Sequence, residues 1–173
     1  MFQYRIYPNK KHVRKLNETF DECRWLYNHL LENRKTAYEQ RGEILSCYGQ
    51  QSTYPRLKEE RPSLSNVHSQ VLQNVAVRID LAFKAFFRRC KAGETPGFPR
   101  FRGKDRYASF TFPQSGFSIT HDDRVTLSKI GSVKMVSHRP MKGKVKTCTV
   151  QRSSIGTVKE SSANNTLRED TLT

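Results

Sequence analysis

Apolar side chains recur at helical steps in two long stretches of the chain and at alternating positions in several short ones. From Asn9 onward, Val13, Leu16, Phe20, Cys23, Tyr27 and Leu30 keep three- and four-residue spacing. Trp25 and Leu26 widen that face, so a helix is predicted to about Gln40, capped by Asn9 and stopped by Gly42. A break near Thr19 to Glu22 would divide it into two helices with a turn, the helix-turn-helix pattern. Its second helix is apolar over too broad a face to leave a free recognition surface. In the other long stretch, Val67 to Arg102, Val71, Val75, Ile79, Phe83 and Phe86 form one stripe while Arg78, Lys84 and Arg88 lie off it. Gly93 supplies the stop, and Pro96, Gly97 and Pro99 fix a turn. Between the two, residues 44–69 hold turn signals at Gly49, Pro55 and Pro62 and a short helix around Thr53 to Glu60.

Residues 2–8, FQYRIYP, place Phe2, Tyr4 and Ile6 on one side of a strand and Gln3 and Arg5 on the other, closed by Pro8. Beyond Arg102 the period changes from helical to two. YASFTF (107–112), FSIT (117–120), RVTLS (124–128), SVKMV (132–136) and KVKTCTVQR (144–152) are parted by turn residues, which predicts a small antiparallel sheet or barrel. A lone strand cannot satisfy its own backbone, so residues 2–8 are expected to join that sheet. The helices then read as an insertion after the first strand. From Ser153 the chain loses its aromatic residues, and 153–173 reads as a disordered or foreign tail.

Charge narrows the partner class. Lys and Arg number 31 against 16 Asp and Glu, a net +15, which points to a polyanion. The excess sits in residues 1–152, with 29 basic and 13 acidic groups; 153–173 carries 2 and 3. No run of 18 apolar residues and no apolar N-terminal signal core is present, so nucleic acid is favoured over membrane and a cytoplasmic protein is expected. Cys23, Cys47, Cys90 and Cys148 contain no C-x-x-C pair and are read as reduced packing residues. His121-Asp122-Asp123 could be drawn as a metal cluster, but between FSIT and VTLS it fits a hairpin turn better.

No catalytic constellation emerges. Glu18, Asp21, Glu22 and Glu32 are expected on the solvated side of the first helix, and nothing proposes the converging carboxylates that a two-metal nuclease needs. Two patterns could recognise nucleic acid. Phe98, Arg100, Phe101 and Arg102 alternate rings that stack on bases with guanidinium forks that grip phosphates; equally, the rings could plug a core beneath a loop. Tyr48, Gln50, Gln51 and Ser52 are neutral polar groups able to read base edges, although a polar interhelix loop explains them too.

YRIYPNKKH, CRWLYNHLLENR, SQVLQNVAVRIDLAFKAFFRR and GFPRFRGKDRYASFTFPQ, in that order, resemble the N-terminal half of TnpB, the OrfB-type protein of insertion sequences. Its members are labelled transposases with a helix-turn-helix N-terminus and are understood as RNA-guided DNA nucleases related to type V CRISPR effectors. The resemblance covers about residues 1–152. It implies an α+β protein: a small wedge-type antiparallel β-barrel, made of residues 1–8 and 105–152, with a helical recognition lobe inserted at 9–104. It further implies guide RNA and target DNA as partners. Tyr48, Ser52, Gln73, Thr111 and Phe112 would contact the short DNA motif flanking the target; Arg100, Arg102 and Lys104 would lie near guide RNA. Family members continue into a RuvC-like nuclease domain with acidic metal ligands and a cysteine zinc motif. This chain diverges first, so a truncated binding portion without cofactor or cleavage chemistry is expected. The alternatives are a nuclease subunit completed in trans by a separate RuvC-like chain, or a decayed product.

Overall fold

The computed structural model describes residues 3–104, 106–120, 122–137, 145–152 and the backbone of 165–168. Two compact units divide the chain: Asp21–Tyr107 form one, and the residues up to Phe20 together with those from Ala108 form the other. The boundaries therefore fall later than the 8/9 and 104/105 divisions read from the sequence. The first turns of the long helix account for the shift, because Leu16 and Phe20 are buried and Phe20 meets Phe110 of the sheet edge-on at 4.9 Å.

In the sheet unit, β1 (Gln3–Tyr7), β2 (Ser109–Phe112), β3 (Phe117–Thr120), β4 (Arg124–Leu127), β5 (Gly131–Val136), β6 (Cys148–Arg152) and β7 (Asn165–Arg168) pair antiparallel in the order β2-β6-β7-β1-β5-β4-β3. The first strand joins the sheet as expected, with Tyr4 and Ile6 buried and Gln3, Arg5 and Tyr7 exposed. Residues 165–168 depart from the expectation of a disordered tail. They insert between β6 and β1, satisfying backbone groups that those strands would otherwise leave as open edges. The rest of 153–173 lies outside the described residues, as do Phe2 and His121.

The sheet is rolled. Laid flat at ~4.8 Å per strand, β2 and β3 would stand roughly 29 Å apart. The connection from Phe112 to Phe117 can reach only about 18 Å, and the two rings in fact lie 6.4 Å apart. Gly131 opens β5 at a φ of +122°, where a Cβ would come within 3.2 Å of His12 Nε2, so a side chain there is doubly disfavoured. Arg152 adds a clamp: it donates to Asn17 Oδ1 at 2.8 Å and lies over the Phe20 ring at 4.7 Å.

The helical unit is built on α1 (Lys10–Arg41), α2 (Cys47–Gln51), α3 (Tyr54–Glu60), a 3-10 turn at Pro62–Asn66 and α4 (Ser69–Lys91). No break occurs at Thr19 to Glu22. The helix holds neither Gly nor Pro there, Thr19 Oγ1 donates to the Lys15 carbonyl at 2.8 Å, and the ladder continues through it. Glu22 also departs from the expected solvated role: it is buried, and Arg61 donates to both its oxygens at 2.7 and 2.9 Å while lying over Trp25. In α4, Val71, Leu72, Val75, Ala76 and Ile79 are fully buried, whereas the stripe opens to solvent beyond Asp80. Gly93, at a φ of +75°, ends α4: its N–H donates to Cys90 and that of Glu94 to Arg89, the paired bonds of a Schellman stop.

Candidate nucleic-acid interface

α2 starts because Ser46 Oγ accepts from the Gly49 N–H at 3.0 Å, an N-cap in a segment with no apolar periodicity to recommend it. Tyr48 and Ser52 are one turn apart and exposed. Gln51 Nε2 donates to the Gln73 carbonyl at 3.3 Å, tying α2 to α4, and the Gln73 side chain stays exposed. Three of the residues singled out from sequence thus share the α2–α4 face of the helical unit. Gln50 does not belong with them. It is buried, accepts from Arg34 Nε at 2.6 Å and donates to the Leu30 carbonyl at 2.8 Å, so its neutral polarity serves the fold.

The exit from α4 makes a second surface. From Lys84 to Arg106 the chain carries eight Lys and Arg residues against two acidic ones. Arg88, Lys91, Arg100 and Lys104 make no ion pair with any described residue. This loop has no regular structure, yet it is fixed in place. Asn28 on α1 accepts the Arg102 N–H at 2.8 Å and donates to the Arg102 carbonyl at 2.9 Å, and the Arg102 guanidinium lies 5.6 Å from the Tyr27 ring centroid. Sequence reasoning passed over Asn28, because one polar residue on a broad helix face carries no signal of a partner 74 positions away. Asn28→Ala leaves two backbone groups of the loop without protein partners. We expect weakened RNA binding with a Tm lowered by only a few degrees, since each bond contributes about 1 kcal/mol net. Calorimetry beside a filter-binding titration checks the pair of effects.

Thr111 and Phe112 lie in the sheet unit. Thr111 Oγ1 and Thr149 Oγ1 are 2.9 Å apart across the β2–β6 pair, and Thr111 is partly exposed. Phe112 is 1% exposed, with Phe110 at 5.9 Å and Phe117 at 6.4 Å. Its ring is a packing element and offers no face to a base, so the expectation of a side-chain DNA contact from Phe112 gives way.

Residues 1–43 match the family described as a helix-turn-helix domain, of the OrfB type of IS605 elements. A protein of Escherichia coli (strain K12) named as a candidate RNA-guided DNA endonuclease, InsQ, is 25% identical over 155 residues, 88% of this chain and 37% of its own length. A candidate RNA-guided DNA endonuclease of Streptomyces pristinaespiralis is 30% identical over 162 residues, 90% of this chain and 39% of its own. The chain is similar to TnpB/OrfB-type insertion-sequence proteins. It spans under two fifths of the length of these curated relatives. The segment matched as helix-turn-helix folds as β1 followed by one continuous helix, and a second helix begins only at Cys47, past the matched residues.

Among the described residues, no group of three or more His, Cys, Asp and Glu side chains is placed to hold a metal ion. Nor is any helix among them long and apolar enough to cross a membrane. The cysteines are all free thiols, of which Cys23 and Cys148 are buried, Cys47 is half-buried and Cys90 is exposed. Burial pushes the Cys23 thiol up to about 12, with Arg78 opposing and Glu22 reinforcing the shift, so it is an inert packing residue.

Proposed function

We propose that residues 1–152 are the nucleic-acid recognition portion of a TnpB-like RNA-guided DNA-targeting protein, with the rolled sheet as its wedge-type barrel and the helical unit as its recognition lobe. The observation that carries this reading is the α4 exit loop. A strongly cationic segment, in which Arg88, Lys91, Arg100 and Lys104 make no ion pair with any described residue, is tied to α1 through the two bonds of Asn28 to the Arg102 backbone, an arrangement suited to gripping a phosphate backbone. Arg100, Arg102 and Lys104 contact guide RNA, while Tyr48, Ser52 and Gln73, with Thr111, read the flanking duplex motif. Neutral side chains suit that second task, since each good hydrogen-bonded base contact is worth about 1–3 kcal/mol of discrimination without the indiscriminate pull of a cation. Most sequence discrimination is left to base pairing with the guide. Binding, and not cleavage, is the chemistry these residues are equipped to perform.

Gln73→Ala tests the reader assignment. Its side chain is exposed, and its contact with Gln51 runs through the backbone carbonyl, so the fold is undisturbed. Competition among duplexes that differ only in the flanking motif is expected to show a compressed preference, by about five-fold or more, with overall affinity nearly constant. An equal drop on every duplex would remove Gln73 from the reading face.

A further inference from the structure

The last turns of α4 leave large rings in solvent. Phe87 is 52% and Phe98 46% exposed, although burying one such ring contributes roughly 1.5–3 kcal/mol. They are not floppy. Phe98 meets Phe83 at 5.4 Å and Phe86 at 5.5 Å, both edge-on, and Phe87 meets Phe86 edge-on at 5.2 Å. Phe83 and Phe86 are themselves half-buried, and Arg34 lies 5.3 Å from the Phe83 centroid, so the outer rings stand on an anchored base. Exposed aromatic surface held rigid marks a binding face.

What covers it follows from the charge around it. Arg88 follows Phe87 directly, and Arg100 Nη2 lies 3.8 Å from where a Cβ on Gly97 would stand, over the turn that carries Phe98. Both guanidinium groups lack an ion-pair partner among the described residues. A second copy of this chain would bring the same cations face to face, an unfavourable juxtaposition. A polyanion with flat apolar groups fits both halves of the surface. We propose that Phe87 and Phe98 form a stacking site for unpaired bases of single-stranded nucleic acid, with Arg88 and Arg100 on the flanking phosphates. The site rests on the nucleic-acid reading above and adds to it a demand for bases as well as phosphates.

The test compares the full chain on a uridine oligoribonucleotide, on a backbone of equal length lacking bases, and on a duplex. The base-bearing single strand is expected to bind about five- to hundred-fold more tightly than the abasic one. Phe87→Ala with Phe98→Ala should erase that difference while leaving the salt slope and the duplex affinity in place. Phe98→Trp should preserve the preference, which separates stacking from a folding defect. If the chain holds abasic and base-bearing strands equally, the stacking site is refuted and phosphate gripping survives; if it holds neither, the nucleic-acid reading itself falls. If the alanine variants instead abolish self-association in sedimentation and leave RNA binding intact, the rings belong to a second copy and the proposal is overturned.

Discussion

Replacing Arg100 and Arg102 together by alanine should weaken binding of single-stranded RNA about 25-fold near 0.1 M salt and flatten the plot of log affinity against log salt by about 1.4. The two magnitudes are linked. Each phosphate neutralised on a single strand contributes roughly 0.7 to the slope through release of condensed counterions, so two contacts at 0.1 M give a factor of about 25 that shrinks toward unity near 1 M. Damage to the fold would not vanish with salt. The structure makes such damage small, because Asn28 holds the Arg102 backbone and not its side chain, and the contact that the solvent-exposed Arg102 makes with the buried Tyr27 ring is worth only about 1 kcal/mol. An unchanged slope would show both guanidinium groups to be bystanders and would remove the main support for the recognition reading.

The features legible in the sequence are those with a period. The alternation of β1 through β5 and the apolar stripes of α1 and α4 place those strands and helices within a residue or two, β6 begins at Cys148, four residues into the expected run, and the orphan strand at the N-terminus does enter the sheet. Pairings without a period stayed hidden. Glu22 looks like any solvated carboxylate until Arg61, 39 positions on, comes to lie over Trp25. Gln50 looks like its exposed neighbours Tyr48 and Ser52 until Arg34 and the Leu30 carbonyl claim both ends of its amide. Phe112 and Phe98 show the same ambiguity with opposite outcomes, since neither ring type nor spacing says which side of a loop faces water. The alternation of Asn165–Arg168 was too short to stand out from its polar surroundings, and its place between β6 and β1 is set by open backbone on either side.

Arg34→Ala is expected to lower stability by about 3 kcal/mol, a fall in Tm of roughly 6–12 °C for a chain of this size. Arg34 is the hub joining α1, α2 and α4: its Nε donates to Gln50 at 2.6 Å, its Nη2 faces Asp80 at 3.4 Å, and its plane lies over Phe83. Its loss strands the buried Gln50 oxygen without a donor, which alone costs about 1–3 kcal/mol. Asp80 is less exposed to the loss, because it is partly solvated and keeps Lys84 at 2.9 Å. Burial pushes the Asp80 carboxyl up, but the Lys84 ammonium and the Arg34 guanidinium outweigh it and hold the group below its ordinary value. The stability it contributes is therefore present above about pH 3.9 and lost as pH falls through the lowered value. The gap between Arg34→Ala and the parent chain should consequently narrow on acidification, which urea unfolding at pH 7 and pH 3 would register. Gln50 sits in α2 between Tyr48 and Ser52, so a loosened Gln50 also frees the face proposed to read the flanking motif. Discrimination among flanking motifs should decline at temperatures where the helical unit is still folded, whereas a variant as stable as the parent would show the hub to be idle.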